Sequence, residues 1–309
     1  MASLANVLGK TPLTRRRALW GLALILPNTL GLLFFFGIPV LLSFYTSLQK
    51  WNGIKPPQFI GLANFKQLFA DPNFWQAFGN TLKILVFTVP IGTLLALGVA
   101  VLLNQKLRGR SFFRTIYFLP VVTSTVAASI VWTWIFQAHY GLINNILAPF
   151  GLLDLNWLTR PQLVLIPIIV VTIWQRLGFD MVLFLAGLQN IPGILYEAAL
   201  IDGATRWQRF RYITLSLLSP TTFLILILSF IGSFQIFDQV FIMTARTRAG
   251  GPEGSATTLS FFLYQSGFTN SEFGYASAIA LAMFAIMLAV TVLQLRLQRR
   301  WVYYESTDG

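Results

Sequence analysis

Six long apolar runs constrain this chain more than any other feature. They lie at about 19–48, 78–103, 115–136, 163–188, 215–244 and 275–297. Each is as long as the roughly 20 residues that a helix needs to cross a bilayer. Of the 309 residues, 56% are hydrophobic and only 10% are charged, against about 25% charged in soluble domains. A soluble enzyme is therefore excluded. The chain has no Cys and a single His, His139, so disulfides, thiolate chemistry and a His-based metal cluster are excluded within it. Pro27, Pro90, Pro120 and Pro167 fall inside the runs, where neighbouring helices can satisfy the freed backbone groups.

The net charge of +12 is compatible with nucleic acid, anionic lipid or membrane topology; its distribution decides. One side of the six runs collects Lys10, Arg15, Arg16, Arg17, Lys106, Arg108, Arg110, Arg114, Arg206, Arg209, Arg211, Arg296, Arg299 and Arg300. The other side has Lys50, Lys55, Lys66, Arg160, Arg246 and Arg248. The excess of Lys and Arg marks the cytoplasmic side. The expectation is an all-α integral membrane chain of six transmembrane helices, one domain over residues 1–309, with both termini cytoplasmic. Nucleic acid is not expected as a partner, and the lipid bilayer is. Arg15-Arg16-Arg17 ahead of an apolar run resembles a signal peptide, but the run is too long and lacks a small-residue cleavage site. It is read as an uncleaved first span.

The cytoplasmic loop at about 190–213 carries the most local information. Pro192 suits the first turn of a helix, and Ile194, Ala198 and Ile201 recur on one face of it. Gly203 fits a helix stop. Thr205 with Gln208 matches a capping box opening a second short helix. Two readings are open on these residues alone: a compact helix-turn-helix knob for a partner, or an amphipathic loop lying on the membrane.

Glu197-Ala198-Ala199, Asp202-Gly203-Ala204, Phe210, Ile213-Thr214-Leu215 and Pro220 closely resemble the EAA loop of binding-protein-dependent ABC importer permeases. Further segments extend the resemblance over most of the chain. They are Phe59-Ile60-Gly61-Leu62-Ala63-Asn64-Phe65, Asn80-Thr81, Phe118-Leu119-Pro120, Leu188-Gln189-Asn190-Ile191-Pro192, Gly250-Gly251-Pro252 and Gly274-Tyr275-Ala276-Ser277-Ala278. The pattern is similar to the carbohydrate-uptake branch, of maltose and glycerophosphate type. Ser216 stands where that family usually has Pro, which leaves Pro220 to supply the kink entering the fifth run.

The resemblance implies the type I ABC importer transmembrane fold in a prokaryotic plasma (inner) membrane. It implies a second homologous permease, forming a heterodimer, an extracytoplasmic substrate-binding protein and two cytoplasmic ABC ATPase subunits. No cofactor is expected in this chain; ATP and Mg2+ belong to the partner ATPases. Gly9-Lys10-Thr11 lacks the P-loop's earlier Gly, with Leu4 in its place, so no nucleotide site is expected here. Coupling to the ATPases is implied for Glu197, Ala198, Ala199, Asp202, Gly203 and Ala204.

Polar groups at membrane depth are costly and tend to face a bundle interior or a pathway. Thr172, Gln175, Arg176, Phe179 and Asp180 fall in the fourth run, and Ser229, Gly232, Ser233, Gln235, Ile236, Asp238 and Gln239 in the fifth. The resemblance places the transported sugar against Thr172, Gln175, Arg176, Phe179, Ser229, Gly232, Ser233 and Ile236. Plainer readings stand beside it. Ser229 and Ser233 can serve as small packing residues, and Arg176 with Asp180, at i and i+4, can simply neutralise each other. An ion-coupled secondary transporter is the alternative function, though it calls for paired midplane acids or an inverted repeat, and the runs offer only Asp180 and Asp238. A membrane enzyme is not expected, because no nucleophile–base pair lies in the runs.

Overall fold

The computed structural model describes residues 12–105, 108–151, 155–245 and 249–302. Lys10, Lys106, Arg246 and Arg248 of the charge tally, together with Leu4 and Gly9–Thr11, lie outside the described residues, as do the side chains of Arg15, Arg299 and Arg300. Apart from one short hairpin, the described chain is helical.

The first apolar run forms α1 (Pro12–Leu32), a π-helical turn (Leu33–Gly37) and α2 (Ile38–Ser47) without interruption. Pro39 explains the widened turn. It has no N–H for the carbonyl of Phe35, and its ring presses on that carbonyl. The ladder shifts to i→i−5, with the Ile38 N–H donating to the Leu33 carbonyl. Leu24 and Phe35 are 77% and 71% exposed, as expected of side chains that meet lipid or another subunit rather than this chain's own core.

The next strands are β1 (Gln49–Lys50) and β2 (Gln58–Phe59), antiparallel with Gln49 opposite Phe59. Then come α3 (Ala63–Ala70) and α4 (Pro72–Asn104). Asp71 starts α4 by accepting the Asn73 N–H, with Pro72 in the first turn, where its missing donor does no harm. The third apolar run departs from expectation. It is α5 (Arg110–Val122) and α6 (Thr125–Ile135), bent by 100° at Thr123-Ser124 rather than one helix over 115–136. Thr123 closes α5 locally, its hydroxyl donating to the Pro120 carbonyl at 2.7 Å, the kind of side-chain bond that competes with helix continuation.

After α7 (Leu142–Leu147) the chain enters α8 (Leu165–Gln189), with Pro167 in its first turn. The loop expected to be cytoplasmic is α9 (Gly193–Ile201) and α10 (Arg206–Arg209), continued through a π turn (Phe210–Thr214) into α11 (Leu215–Leu217). The fifth run is also broken, rather than one continuous helix over 215–244. A 61° bend separates the Arg206–Leu217 segment from α12 (Ser219–Phe234), and α13 (Asp238–Thr244) follows as a separate helix. Pro220 does supply the kink. It offers no N–H to the Ser216 carbonyl, which instead accepts from the Ser219 hydroxyl at 2.6 Å. The second break is held from outside α12 and α13, where the Thr258 hydroxyl donates to the Ile236 carbonyl at 2.7 Å.

The chain closes with α14 (Leu259–Tyr264) and α15 (Phe273–Trp301). Among the described residues, four helices are long and apolar enough to cross a membrane, and the count reaches six if each bent pair is one span.

The chain divides into two compact units, residues 1–67 with 266–281, and residues 68–265 with 282–309. In the first, Asn64 donates its amide to the carbonyls of Ser47 and Gln49 at 2.7 and 2.9 Å. Gly274 presses so closely on the Gln49 carbonyl that any side chain there would collide with it. In the second, α4 packs along α8 through Ala96, Ala100 and Leu103 against Met181, Phe184 and Leu188. A second cluster joins Ile84 and Ile168 to Val240, Met243 and Phe261. Gly178 permits the crossing of α5 over α8, because a Cβ there would lie 2.9 Å from the Phe118 Cα. Small residues at such crossings are the usual device for close helix approach in membranes.

Candidate functional site

The second unit contains a half-open cavity of about 390 Å³ where α4, α8 and α12 meet the breaks after α5 and α12. All eight pathway positions border it: Thr172, Gln175, Arg176 and Phe179 from α8, Ser229, Gly232 and Ser233 from α12, and Ile236 from the break that follows. Asp180, Gln235, Asp238 and Gln239 also line it. The helical periodicity of α8 and α12 accounts for much of this, since residues spaced by three and four share a face.

Arg176 and Asp180 form an ion pair across one turn of α8, with Nε to Oδ2 at 3.1 Å and side chains 28% and 3% exposed. The pairing anticipated from their spacing is real, yet it does not exhaust either group. Arg176 Nη2 and Asp180 Oδ1 are buried with no hydrogen-bond partner among the described residues. A donor and an acceptor thus remain at a polar-lined cavity, where leaving them unmade is costly. Gly232 faces the pair: a Cβ at that position would stand 3.0 Å from Arg176 Nη1.

The hydroxyls have a common arrangement. Thr172 donates to the Ile168 carbonyl at 2.7 Å and Ser233 to the Ser229 carbonyl at 2.8 Å. Each donor is spent on its own helix, so the oxygen lone pairs are what these groups offer to the cavity. Gln175 is held from two sides, donating to Thr125 Oγ1 at 2.9 Å and accepting from Gln239 Nε2 at 3.5 Å. Phe179 is 38% exposed and supplies an aromatic face.

Sequence reasoning missed the wall contributed by α4 and by the α5–α6 bend, namely Thr88, Val89, Gly92, Val121 and Thr125. Thr88 and Ser233 lie 3.5 Å apart, oxygen to oxygen. The polar-residue rule applied to the second run would have found Thr88, but Val121 and Thr125 depend on the bend.

The residues for which the resemblance implies coupling form one continuous motif. Helix α9 ends in a Schellman turn: Ala204 N–H donates to the Ala199 carbonyl at 2.8 Å and Gly203 N–H to the Leu200 carbonyl at 3.1 Å. Gly203 sits at φ +74°, where glycine avoids the strain of a Cβ. Thr205 and Gln208 then make the reciprocal capping box that starts α10. Pro192 lies just before α9, at its N-cap, rather than inside the first turn. Glu197, Ala198, Asp202 and Gly203 are exposed and Ala199 and Ala204 partly so. Ile194 and Ile201 are 70% and 87% exposed, so the shared apolar face points away from this chain.

At the opposite end of α4, Asn80 donates to the carbonyls of Gly254 and Thr257 at 3.0 and 3.1 Å, and Thr81 Oγ1 accepts the Leu259 N–H. These bonds fasten the Gly250-Gly251-Pro252 loop to the helix.

Residues 88–303 match the family described as binding-protein-dependent transport system inner membrane component. The chain belongs to that family. Its relatives are permease subunits rather than enzymes. The trehalose/maltose transport system permease protein MalF of Thermococcus litoralis is 34% identical over 285 residues, covering 92% of this chain and 95% of its own. The lactose transport system permease protein LacF of Rhizobium radiobacter is 40% identical over 259 residues, covering 82% and 85%. Among solved structures, a chain of a bacterial ABC transporter that imports the acidic polysaccharide alginate superposes with a TM-score of 0.78 at 26% identity, covering 92% of this permease and 96% of that chain. A chain of a bacterial alginate ABC transporter solved in complex with an alginate pentasaccharide-bound periplasmic protein superposes with the same TM-score of 0.78 at 25% identity, covering 92% of this permease and 96% of that chain. Family membership makes this permease a multi-pass protein of the inner membrane.

Proposed function

We propose that this permease is a subunit of an ATP-driven ABC importer, with the type I importer fold, for a sugar, polyol, glycoside or glycerophosphate delivered by an extracytoplasmic binding protein. The observation that carries the reading is the cavity. Hydroxyl acceptors, held amides, an unspent guanidinium donor and carboxylate acceptor, and the face of Phe179 surround about 390 Å³. Such a lining matches a polyhydroxylated molecule, which brings many donors and acceptors together with apolar C–H faces. Relatives named for trehalose/maltose and lactose transport support the same substrate class. In this reading Thr172, Gln175, Arg176, Phe179, Ser229, Gly232, Ser233 and Ile236 form the substrate pathway.

Glu197, Ala198, Ala199, Asp202, Gly203 and Ala204 form the coupling element. Their exposed helix and tight Schellman turn seat in a cleft of a cytoplasmic ATPase, and closure of two such ATPases on ATP and Mg2+ drives alternating access. The assembly is a heterodimer of this chain with a second permease, both termini of this chain being cytoplasmic. Uptake by the reconstituted complex with its binding protein tests the reading. Transport abolished by orthovanadate but retained with a protonophore is expected; the reverse pattern would favour an ion-coupled carrier. A thermal-shift screen of the binding protein against sugars, glycosides and glycerophosphates then identifies the substrate.

A further inference from the structure

A second hollow, of about 430 Å³, lies on the flank of α5 beside α8, separate from the candidate pathway. Its lining is graded along the helix. Ser111, Arg114 and Thr115 form one end, and Phe118, Leu119 and Val122, with Val182 of α8, form the other. These α5 positions follow i, i+3, i+4, i+7, i+8 and i+11 spacing, so they make a single face. The crossing at Gly178 lies one turn before Val182 and brings α8 close enough to wall the hollow. Leu119 and Val122 are 58% and 69% exposed, so the apolar end is open on the surface of this chain.

The polar end is cationic. Arg108, Arg110 and Arg114 cluster at the start of α5, and residues 105–123 contain no Asp or Glu. Arg110, one turn before Arg114, has its Nε and Nη2 buried without a hydrogen-bond partner among the described residues. It adds positive charge beside the hollow, while the Arg114 guanidinium, which lines it, is the group able to meet a phosphate in bidentate fashion. Basic residues above an apolar groove at the edge of a spanning helix are the arrangement that binds anionic headgroups.

We infer that this groove is a binding site for an anionic phospholipid. The headgroup phosphate rests at Ser111, Arg114 and Thr115, and one acyl chain runs down Phe118, Leu119 and Val122. The lipid would hold the start of α5 at the membrane surface and fill the space beside the α5–α8 crossing. The site is independent of which solute the permease carries.

Native mass spectrometry of the full transporter, delipidated and titrated with phosphatidylglycerol or phosphatidylcholine, tests it. Wild type should retain phosphatidylglycerol preferentially. Arg114→Gln should weaken that retention about fivefold, the worth of roughly one basic residue near an anionic surface. Val122→Trp, which fills the apolar end without changing charge, should weaken it as well, whereas Arg17→Gln, a basic change outside the groove, should not. Equal retention of the two lipids by wild type would overturn the proposal, as would an Arg17→Gln loss matching that of Arg114→Gln. Crosslinking of a Val122→Cys variant to the second permease in the assembled transporter would also overturn it, since the groove would then be a subunit contact.

Discussion

Substituting Gly232 separates a pathway role from a packing role, because the two predict opposite results. Gly232 lies inside α12, where glycine costs about 1 kcal/mol relative to alanine in helix propensity. The Cβ of Gly232→Ala would stand 3.0 Å from Arg176 Nη1, closer than carbon and nitrogen comfortably approach. That atom is the far end of a flexible side chain, so the guanidinium can yield by a few tenths of an ångström. Stability of the complex should therefore hold or rise by up to about 1 kcal/mol. Transport should fall, because the displaced guanidinium no longer aims its free Nη2 at the same point. A hydrogen bond from a charged donor is worth about 1.5–3 kcal/mol when fully lost, and partial misalignment costs about half of that. The expected loss in uptake kcat/KM is three- to tenfold, at roughly 1.4 kcal/mol per decade. Gly232→Leu, which projects into the cavity itself, should lose more than tenfold. The assay is uptake in proteoliposomes alongside thermal unfolding of the purified complex. Wild-type uptake by a well-assembled Gly232→Leu transporter would refute the pathway assignment, and a Gly232→Ala complex that melts early would refute the packing argument.

Other outcomes follow from the same geometry. Arg176→Ala alone should impair assembly more than Arg176→Ala with Asp180→Ala, because the single change strands a buried carboxylate. Breaking a buried pair costs about 3–5 kcal/mol, reduced here to about 1–2 because Arg176 is 28% exposed and partly screened. A double-mutant cycle on unfolding midpoints checks it, and simple additivity would count against coupling. Asn80→Ala should remove one buried and one part-buried hydrogen bond and cost about 1–3 kcal/mol locally. Hydrogen exchange should then accelerate at residues 250–258, and unchanged protection there would contradict the fastening role. Glu197→Lys and Gly203→Pro should leave the permease inserted but disconnect uptake from ATP hydrolysis. Proline cannot reach the φ of +74° at Gly203 or supply its N–H to Leu200. Coupled transport at wild-type efficiency in both variants would remove the coupling role from this loop.

The loop of α9 and α10 was legible in the sequence almost to the residue. Its Gly203 stop and Thr205–Gln208 start are local devices, satisfied by neighbours in the chain and so readable without knowing what packs nearby. The cavity-lining residues on α8 and α12 were legible for a related reason, since a polar side chain in an apolar run is conspicuous and helical spacing says which of them share a face. The bends at Thr123-Ser124 and after Phe234 were not visible as breaks. Hydropathy averages over a run and does not register where a helix is interrupted; Thr123 reads as a mild polar substitution until its bond to Pro120 is seen, and the second break is held by Thr258, distant in the chain.

Sequence alone determined that this chain lives in lipid, because lipid demands long apolar helices and tolerates little charge. It also singled out Arg176 and Asp180 as exceptions that require a reason. Only tertiary structure decided that Thr88, Val121 and Thr125 join them around one cavity. Only packing could leave Arg176 Nη2 and Asp180 Oδ1 unspent, because whether a polar atom finds a partner depends on groups far away in the chain, which no periodicity records.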